Sequence, residues 1–447
     1  PWDLSTPSWR FEEPRRRQKR RGCSGILMGW HSSPVIDAEL NVYIQSTMGW
    51  VYSVDKDGRL RWETQLDHCF PGNIALLGSW AYTTTVDGHV IALEMATGRT
   101  AWQRKLGPFM SSDTHSLLAA EGTLLVPCNP EGHETEPAGS AVRDKTTGSE
   151  DLCSLDPQDG HLRWNYSVIL RSRNVTFNAM PILVGKTVII TDSVGGVYAV
   201  TLDEGKELWY TPTPVSILES FLVYGGHPMG STGGSVVGPN DMIFVGFNVL
   251  AGVGSVRALR LEDGSKAWER MFHEEVNTAP AVGYVYGHRR LAVVVAVGHN
   301  SQCLPLSLSE WFTMKIRHET GSLDPVLIKT GVIVALDADT GDDIWAYPLE
   351  HYWDSYAGVA QDDTCCPAMF GSPAIGGDGT VYVNWSGGRH FALRDANSDG
   401  RVDAHDPREV QSIHSGFSTN GITAIAPGLT VFPNCRHMVA YRTPVGA

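Results

Sequence analysis

The sequence lacks any apolar run long enough to cross a bilayer as a helix. Its longest apolar run, residues 291–297, has the length of a strand, whereas a transmembrane helix needs about 20 residues. Amphipathic helical patterns are few, and 47 Gly and 25 Pro residues interrupt the chain throughout. These absences predict an all-β protein without a transmembrane segment.

The chain is also short of positive charge, with 35 Lys and Arg against 49 Asp and Glu and a formal net charge of −14. An acidic surface repels phosphates, which argues against nucleic acid as a partner. The exception is the basic run at residues 15–21, which is typical of a solvated connector; an acidic partner or a processing site are the alternatives. The chain begins at Pro1 without a visible signal peptide, which indicates a processed or trimmed start.

Signatures of common enzyme chemistry are missing as well. There is no Ser-His-Asp order, no phosphate-binding loop, no zinc-type Cys-x-x-Cys pairing and no Cys-x-x-Cys-His haem motif. The sequence therefore favours a binding protein over a hydrolase, a nucleotide-dependent enzyme or a cytochrome.

What the sequence does contain is a repeated phrase of strands and turns that ends in Trp. In residues 41–64, Val42 and Ile44 alternate with residues of the opposite face, Gly58 supplies a tight turn, and Trp62 closes the unit. Similar phrases end at Trp102, Trp164, Trp209, Trp268 and Trp345. Repeats of about 40 to 50 residues with four strands each predict a β-propeller.

The number of short inner strands gives the number of blades. Eight candidates begin at residues 31, 71, 115, 178, 233, 278, 371 and 420. The eighth copy ends early and lacks an outer strand, so residues 9–12 are predicted to supply it and to close the ring from both ends of the chain. The prediction is one domain, residues 1–447, with a leading strand and basic segment at 1–21 and a long insertion at 298–329.

The repeat resembles that of the pyrroloquinoline-quinone (PQQ) enzyme family. In that family a Val-Tyr strand, an Asp-Gly turn, an Ala-Leu-Asp strand and a Thr-Gly turn lead to Trp, and residues 331–345 are the closest match here. The resemblance implies the propeller fold over nearly the whole chain. It also implies a quinone funnel, which polar residues before the inner strands would ring: His31, Ser32, Asn73, His115, Asn178, Thr232, Asn277, Ser372 and Asn420. The same residues are equally expected as turn caps, and we favour that interpretation.

The segment DANSDGRVDAHD, residues 395–406, has the spacing of a twelve-residue calcium loop. The predicted ligands stand at positions 1, 3, 5, 7, 9 and 12: Asp395, Asn397, Asp399, Arg401 through its carbonyl, Asp403 and Asp406. Val402 is the apolar anchor. The loop resembles EF-hand and dockerin loops, with Asp406 in place of the EF-hand Glu. The sequence predicts a structural Ca²⁺ site in this loop. An ordinary acidic turn without a metal ion is the alternative.

Eight cysteines favour an oxidising compartment, with buried free thiols in a cytosolic protein as the alternative. Cys128 and Cys153 bracket an insertion at residues 127–150, and Cys23 and Cys435 lie near the two ends that a propeller brings together. Both pairs are predicted disulfides.

Cys365 and Cys366 are adjacent, as in the vicinal disulfide of several quinone dehydrogenases, which the resemblance implies here. Separate bonds to Cys69 and Cys303 remain open. Two functions therefore stand: a secreted or lumenal, non-catalytic scaffold for protein partners, stabilised by calcium and disulfides, or a calcium- and PQQ-dependent dehydrogenase. In quinone enzymes calcium, a stacked Trp and an Asp base hold the cofactor, and this set cannot be mapped onto the sequence; the Trp-Gly-Arg-Asp phrase of some members is also absent. Their absence favours the scaffold.

Overall fold

Eight four-stranded antiparallel sheets follow one another along the chain, as the repeats predict. The computed structural model describes residues 2–14, 32–68, 73–85, 87–107, 117–129, 149, 151–168, 177, 179–213, 233–250, 253–298, 331–349, 370–417, 419 and 421–443. The first sixteen strands are β1 Trp9–Glu12, β2 Val35–Ile36, β3 Val42–Gln45, β4 Trp50–Val54, β5 Leu60–Gln65, β6 Ala75–Leu77, β7 Trp80–Thr84, β8 His89–Glu94, β9 Thr100–Lys105, β10 Leu118–Ala120, β11 Thr123–Cys128, β12 Asp151–Leu155, β13 Leu162–Ser167, β14 Ile182–Val184, β15 Thr187–Thr191 and β16 Val197–Thr201.

The other sixteen strands are β17 Glu207–Thr211, β18 Gly234–Val237, β19 Met242–Leu250, β20 Val253–Arg260, β21 Lys266–Phe272, β22 Ala281–Tyr284, β23 Leu291–Gly298, β24 Gly331–Asp337, β25 Asp343–Pro348, β26 Ala374–Ile375, β27 Val381–Trp385, β28 Arg389–Leu393, β29 Val410–His414, β30 Ala424–Ala426, β31 Leu429–Pro433 and β32 His437–Arg442. Blades 1 to 7 take β2 to β29 four at a time, and blade 8 has the order β1-β32-β31-β30. The inner strands β2 and β30 contact each other, which closes the ring. The all-β, eight-bladed propeller is confirmed.

The two middle strands of each blade are the most deeply buried. In blade 1, every residue of β3 and β4 is buried, whereas the outer strand β5 keeps residues on the surface. Neighbouring blades cover both faces of a middle strand, so its sequence is a nearly continuous apolar run rather than an alternating one. The cores therefore lie between blades and extend from each sheet into the next.

The recurring Trp joins six of the eight blades to the next one. Its indole N–H donates to a carbonyl in the turn before the next blade's outer strand. Six interfaces have this bond, between Trp9 and Lys56 at 2.9 Å, Trp62 and Met95 at 2.9 Å, Trp102 and Pro157 at 3.1 Å, Trp164 and Leu202 at 2.8 Å, Trp209 and Leu261 at 3.2 Å, and Trp268 and Ala338 at 3.0 Å.

A glycine in the accepting turn makes room for the indole. A Cβ atom at Gly98 would lie 2.5 Å from the Trp62 ring, and the φ of +72° at Gly98 already favours glycine. Gly58 has the same relation to Trp9, at 2.8 Å. The "Gly turn, strand, Trp" phrase in the sequence is thus one contact that is repeated from blade to blade.

The ring closes with the strand predicted for that purpose. β1 pairs antiparallel with β32 in the register Trp9 to Ala440 and Glu12 to His437. Phe11 on β1 is 8% exposed and packs edge-on against Tyr52 of blade 1, with ring centroids 6.0 Å apart. The first described strand therefore completes blade 8 and attaches it to blade 1.

We predict that Phe11→Ala destabilises the protein by about 3 kcal/mol, because it opens a cavity at the closing interface. The melting temperature should fall by several degrees in thermal denaturation followed by circular dichroism. Glu12→Ala is the matched control on the same strand, since Glu12 is exposed and forms a surface ion pair with Arg10; its effect should stay within about 0.5 kcal/mol. Equal melting temperatures for wild type and Phe11→Ala would contradict closure by β1.

Two buried histidines make the last two blades sensitive to acid. Burial, with nearby Arg10 and Arg436, lowers the pKa of His437 to about 3, and burial, with His437 and His414, lowers the pKa of His390 to about 3. The Nδ1 atom of His437 accepts from Arg10 Nη2 at 3.0 Å, which requires a neutral ring. Closure of blade 8 thus depends on an unprotonated His437.

We therefore predict that stability is full above about pH 6.5 and is lost progressively as the pH falls toward 3. The unfolded chain takes up these protons near the ordinary histidine pKa, and the folded protein does not. Unfolding midpoints measured between pH 7 and pH 4 should fall less in His390→Asn than in wild type, relative to each protein's own value at pH 7. Substitution of the exposed His161 by Asn should leave the wild-type slope unchanged, and an identical slope in His390→Asn would contradict the assignment.

Candidate functional sites: the long-connection face and the 395–406 loop

The two faces of the ring differ in the length of their connections. On one face lie the turns from first to second strand and from third to fourth strand of each blade. Most are short; β30 and β31, for example, are joined across Gly428. On the opposite face lie the turns from second to third strand and the links between blades. We call this second face the long-connection face.

Every extended connection outside the described residues leaves from strand ends on the long-connection face. Those from second to third strand follow β11 and β23, and those between blades follow β1, β9, β13, β17 and β25. The insertions predicted at 127–150 and 298–329 belong to this set. Both strand ends of each of these connections lie on one face of the ring, and loops held by a rigid scaffold commonly bind partners.

A disulfide lies at the base of the first insertion. Cys128 and Cys153 are bonded, with Cα atoms 5.9 Å apart, and both are fully buried on adjacent strands β11 and β12. This is the predicted pair. Cys435 is also disulfide-bonded, while Cys23, Cys365 and Cys366 lie outside the described residues.

The described residues of the predicted funnel ring hydrogen-bond to backbone. Asn73 Oδ1 accepts from Ser33 N of the preceding blade at 2.7 Å, and Ser372 Oγ accepts from Ala279 N at 3.1 Å. Ser32 Oγ donates to Gln45 O at 2.8 Å. Asn277 is partly exposed, and His31, His115, Asn178, Thr232 and Asn420 lie outside the described residues. These contacts support the turn-cap interpretation and do not assemble a quinone site from the described residues.

The 395–406 loop occupies the turn between β28 and β29 of blade 7, on the face of short turns. In its first half, backbone N–H groups converge on the side chain of Asp395. Asp395, which is fully buried, accepts from Asp399 N at 3.2 Å and Gly400 N at 3.0 Å, and Gly400 has a φ of +85°. Asp395 Oδ2 also contacts His288 Nε2 of the neighbouring blade at 2.9 Å.

The loop also replaces the usual contact between blades 6 and 7. Trp345 is 1% exposed, and its indole nitrogen has no hydrogen-bond partner among the described residues. Instead, Val402 N donates to Ala346 O at 3.2 Å, and Val402 packs in the same core as Trp345. Val402, the predicted apolar anchor, is thus buried in the core. The loop is joined to blade 6 by a backbone hydrogen bond, where six other interfaces have an indole hydrogen bond.

The second half of the loop is arranged differently from the sequence expectation. Asp406 Oδ2 accepts from Arg408 at 2.6 Å, and these hydrogen bonds lower the pKa of Asp406. Within the described residues, no three carboxylates of the loop bring oxygens within 4.8 Å of one another. Asn397 and Asp399 do meet, since Nδ2 of the first lies 3.0 Å from Oδ2 of the second.

Glu409 is a residue that the twelve-residue template missed. It is fully buried, Oε2 accepts from Asp403 N at 2.8 Å, and Oε1 has no hydrogen-bond partner among the described residues. A buried carboxylate oxygen without a partner is costly unless a proton or a cation satisfies it. The described carboxylates of the loop thus do not converge on one point, and Glu409 is a further buried carboxylate that the template omits.

No described helix has the length and apolarity to cross a membrane.

Comparison with protein families matches residues 6–228 to the family model described as outer membrane protein assembly factor BamB. The outer membrane protein assembly factor BamB of Moranella endobia is 23% identical over 305 residues, 66% of this chain and 69% of the relative. The corresponding factor of Yersinia pestis is 23% identical over 357 residues, 73% of this chain and 77% of the relative.

Solved structures show the same architecture. BamB from Moraxella catarrhalis matches with a TM-score of 0.62 at 15% identity, over 94% of this chain and 98% of that one. A quinohemoprotein alcohol dehydrogenase from Comamonas testosteroni matches with a TM-score of 0.63 at 11% identity, over 98% of this chain and 76% of that one. At identities this low, structural similarity establishes the fold only. The function has to be argued from the residues of this chain.

Proposed function

We propose that this chain, a β-propeller of the PQQ-like repeat family, is a non-catalytic scaffold that binds protein partners through its long-connection face. The observation that carries the proposal is the one-sided distribution of its connections. A rigid ring of eight blades holds the strand ends in place, and seven extended connections leave from those ends on the long-connection face, whereas the opposite face has the long turn at residues 394–409. Such a surface offers a large and adaptable area for another protein.

The relatives support a protein as the partner. Those that match over most of their length are described as outer membrane protein assembly factors. We therefore propose the same general role for this chain, as a component of a larger protein assembly. Its net charge of −14 favours a soluble, self-repelling scaffold and basic or neutral partner surfaces.

An oxidising compartment, extracellular or lumenal, fits the same role. Cys128 and Cys153 form a buried disulfide at the base of an insertion, where closing the loop stabilises the blade. Such bonds persist outside the reducing cytosol.

Calcium at the 395–406 loop is proposed as a structural ion. Asp395, Asn397, Asp399, the Arg401 carbonyl and Asp403 would hold it, with Asp406 or Glu409 completing the set. Oxygen ligands of this number and charge suit Ca²⁺. Bound there, the ion would neutralise the carboxylates and fix the loop that replaces the indole contact of Trp345.

We predict that removing residues 299–330 abolishes binding of at least one partner and preserves the fold. Gly298 and Gly331 are directly opposite each other on β23 and β24, so an Asn-Gly turn can join them without disturbing blade 6. Cross-linking in cells of the source organism, followed by purification and mass spectrometry, gives the partner set.

The control variant carries a flexible Gly-Ser insertion of similar length at Gly428, on the face of short turns. It should retain every partner of the wild type. Identical partner sets for both variants would contradict binding through the long-connection face. Alcohol oxidation by protein reconstituted with PQQ and Ca²⁺ would instead favour the dehydrogenase alternative.

We also predict that Asp395→Ala or Asp399→Ala abolishes Ca²⁺ binding in calorimetry of the chelator-treated protein. Glu409→Gln should weaken it at least tenfold if Glu409 is a ligand, because one charged oxygen donor is lost. Arg401→Ala is the matched control within the loop, since only its carbonyl would bind. No heat of binding in the wild type, with no change in hydrogen exchange over residues 391–410, would reduce the loop to an acidic turn.

A further inference from the structure

A second cluster of metal-ligating side chains lies on the long-connection face, between blades 1 and 2. His68 follows the outer strand β5 of blade 1, Asp87 lies in the turn between β7 and β8 of blade 2, and His89 begins β8. Among the described residues this is the one group of three or more His, Cys, Asp or Glu whose ligand atoms all lie within 4.8 Å of one another. Neither the repeat nor the relatives assign it a role.

The two imidazoles face the same carboxylate. His68 Nδ1 lies 2.6 Å from Asp87 Oδ2, and His89 Nδ1 lies 3.5 Å from Asp87 Oδ1. The rings stack with centroids 4.1 Å apart and planes inclined by 28°. His89 Nδ1 is buried and makes no hydrogen bond within the described part of the chain. A buried ring nitrogen in that position is available to a ligand.

The backbone of the turn closes through Thr85, because Gly88 N donates to Thr85 O and His89 N donates to Thr85 Oγ1, both at 3.0 Å. Of the three side chains only Asp87 takes part in the turn, since its Oδ1 accepts from Thr85 Oγ1 at 2.6 Å. Blade 4 closes the equivalent turn with Asp192 and has the apolar Val194 where blade 2 has Asp87. The two histidines are therefore not needed to close the turn, and Asp87 connects the turn to His68.

We propose that His68, Asp87 and His89 bind a divalent transition metal ion of the Zn²⁺ class. Two imidazole nitrogens and one carboxylate oxygen are ligands that such ions prefer, whereas Ca²⁺ prefers oxygen alone. Asp87 is half exposed, and the two histidines are mostly covered, so the site opens to solvent on the acidic side. Three protein ligands leave a tetrahedral position for water or for a donor from a bound partner.

The ion would connect two blades at their binding surface. His68 lies on the link that leaves blade 1, and the other two ligands lie on blade 2. Binding to the folded protein alone would raise its stability, since the unfolded chain does not bring residues 68 and 89 together.

The test is calorimetry with ZnCl₂ on the full, chelator-treated chain, in excess Ca²⁺ so that the 395–406 loop does not compete. We expect one site in the wild type. His68→Gln and His89→Gln should each weaken it about tenfold or more, because loss of a direct ligand exceeds the effect of losing an outer hydrogen-bond partner. Visible absorption of Co²⁺ bound in place of Zn²⁺ should fall in the same variants.

His161→Gln is the matched control, because His161 is exposed on the opposite face. Asp87→Asn keeps the turn and removes the charge, so it should fold like wild type and bind Zn²⁺ more weakly. Melting curves without metal identify any variant that fails to fold. Absence of Zn²⁺ binding by folded wild type, or equal affinity in wild type, His68→Gln and Asp87→Asn, would overturn the proposal.

Discussion

The contact between an outer-strand Trp and a glycine turn of the next blade organises this ring. Each such contact combines a large, at least partly buried ring with one hydrogen bond, and it needs a turn without a Cβ atom. Because the donor and the acceptor belong to successive repeats, the contact sets the spacing between neighbouring blades. It also explains why strand, glycine turn and Trp recur together in the sequence, although they contact partners about one repeat away.

The interface between blades 6 and 7 lacks this contact and is held in another way. The buried indole of Trp345 keeps its place in the core, but the turn it would bind has become an acidic loop. Attachment then depends on Val402 and on the backbone around Asp395. This interface therefore depends on the packing of Val402 and on the contact between Asp395 and His288, and not on an indole hydrogen bond.

The fold could be predicted from the sequence because its determinants repeat. Eight inner strands, the Trp phrases and the missing outer strand of the last copy led directly to the observed topology, including the pairing of β1 with β32. The sites were harder. Glu409 stands three residues beyond the loop template. Arg408 donates a hydrogen bond to Asp406, and the spacing of residues in the sequence does not reveal this contact. His68 and His89 stand 21 positions apart in the numbering and in different blades, so only the folded ring brings them together.

The pairing of β1 with β32 also affects the order in which the protein can be finished. Of the described strands, Trp9–Glu12 is synthesised first and its partner His437–Arg442 last. Until the last of them is made, the first stays unpaired while the seven blades between them form. Blades 1 to 7 can each fold from local contacts, but the ring closes across the greatest sequence separation in the chain. Completion of the ring therefore needs both of these strands, and a chain that lacked either one would expose a sheet edge.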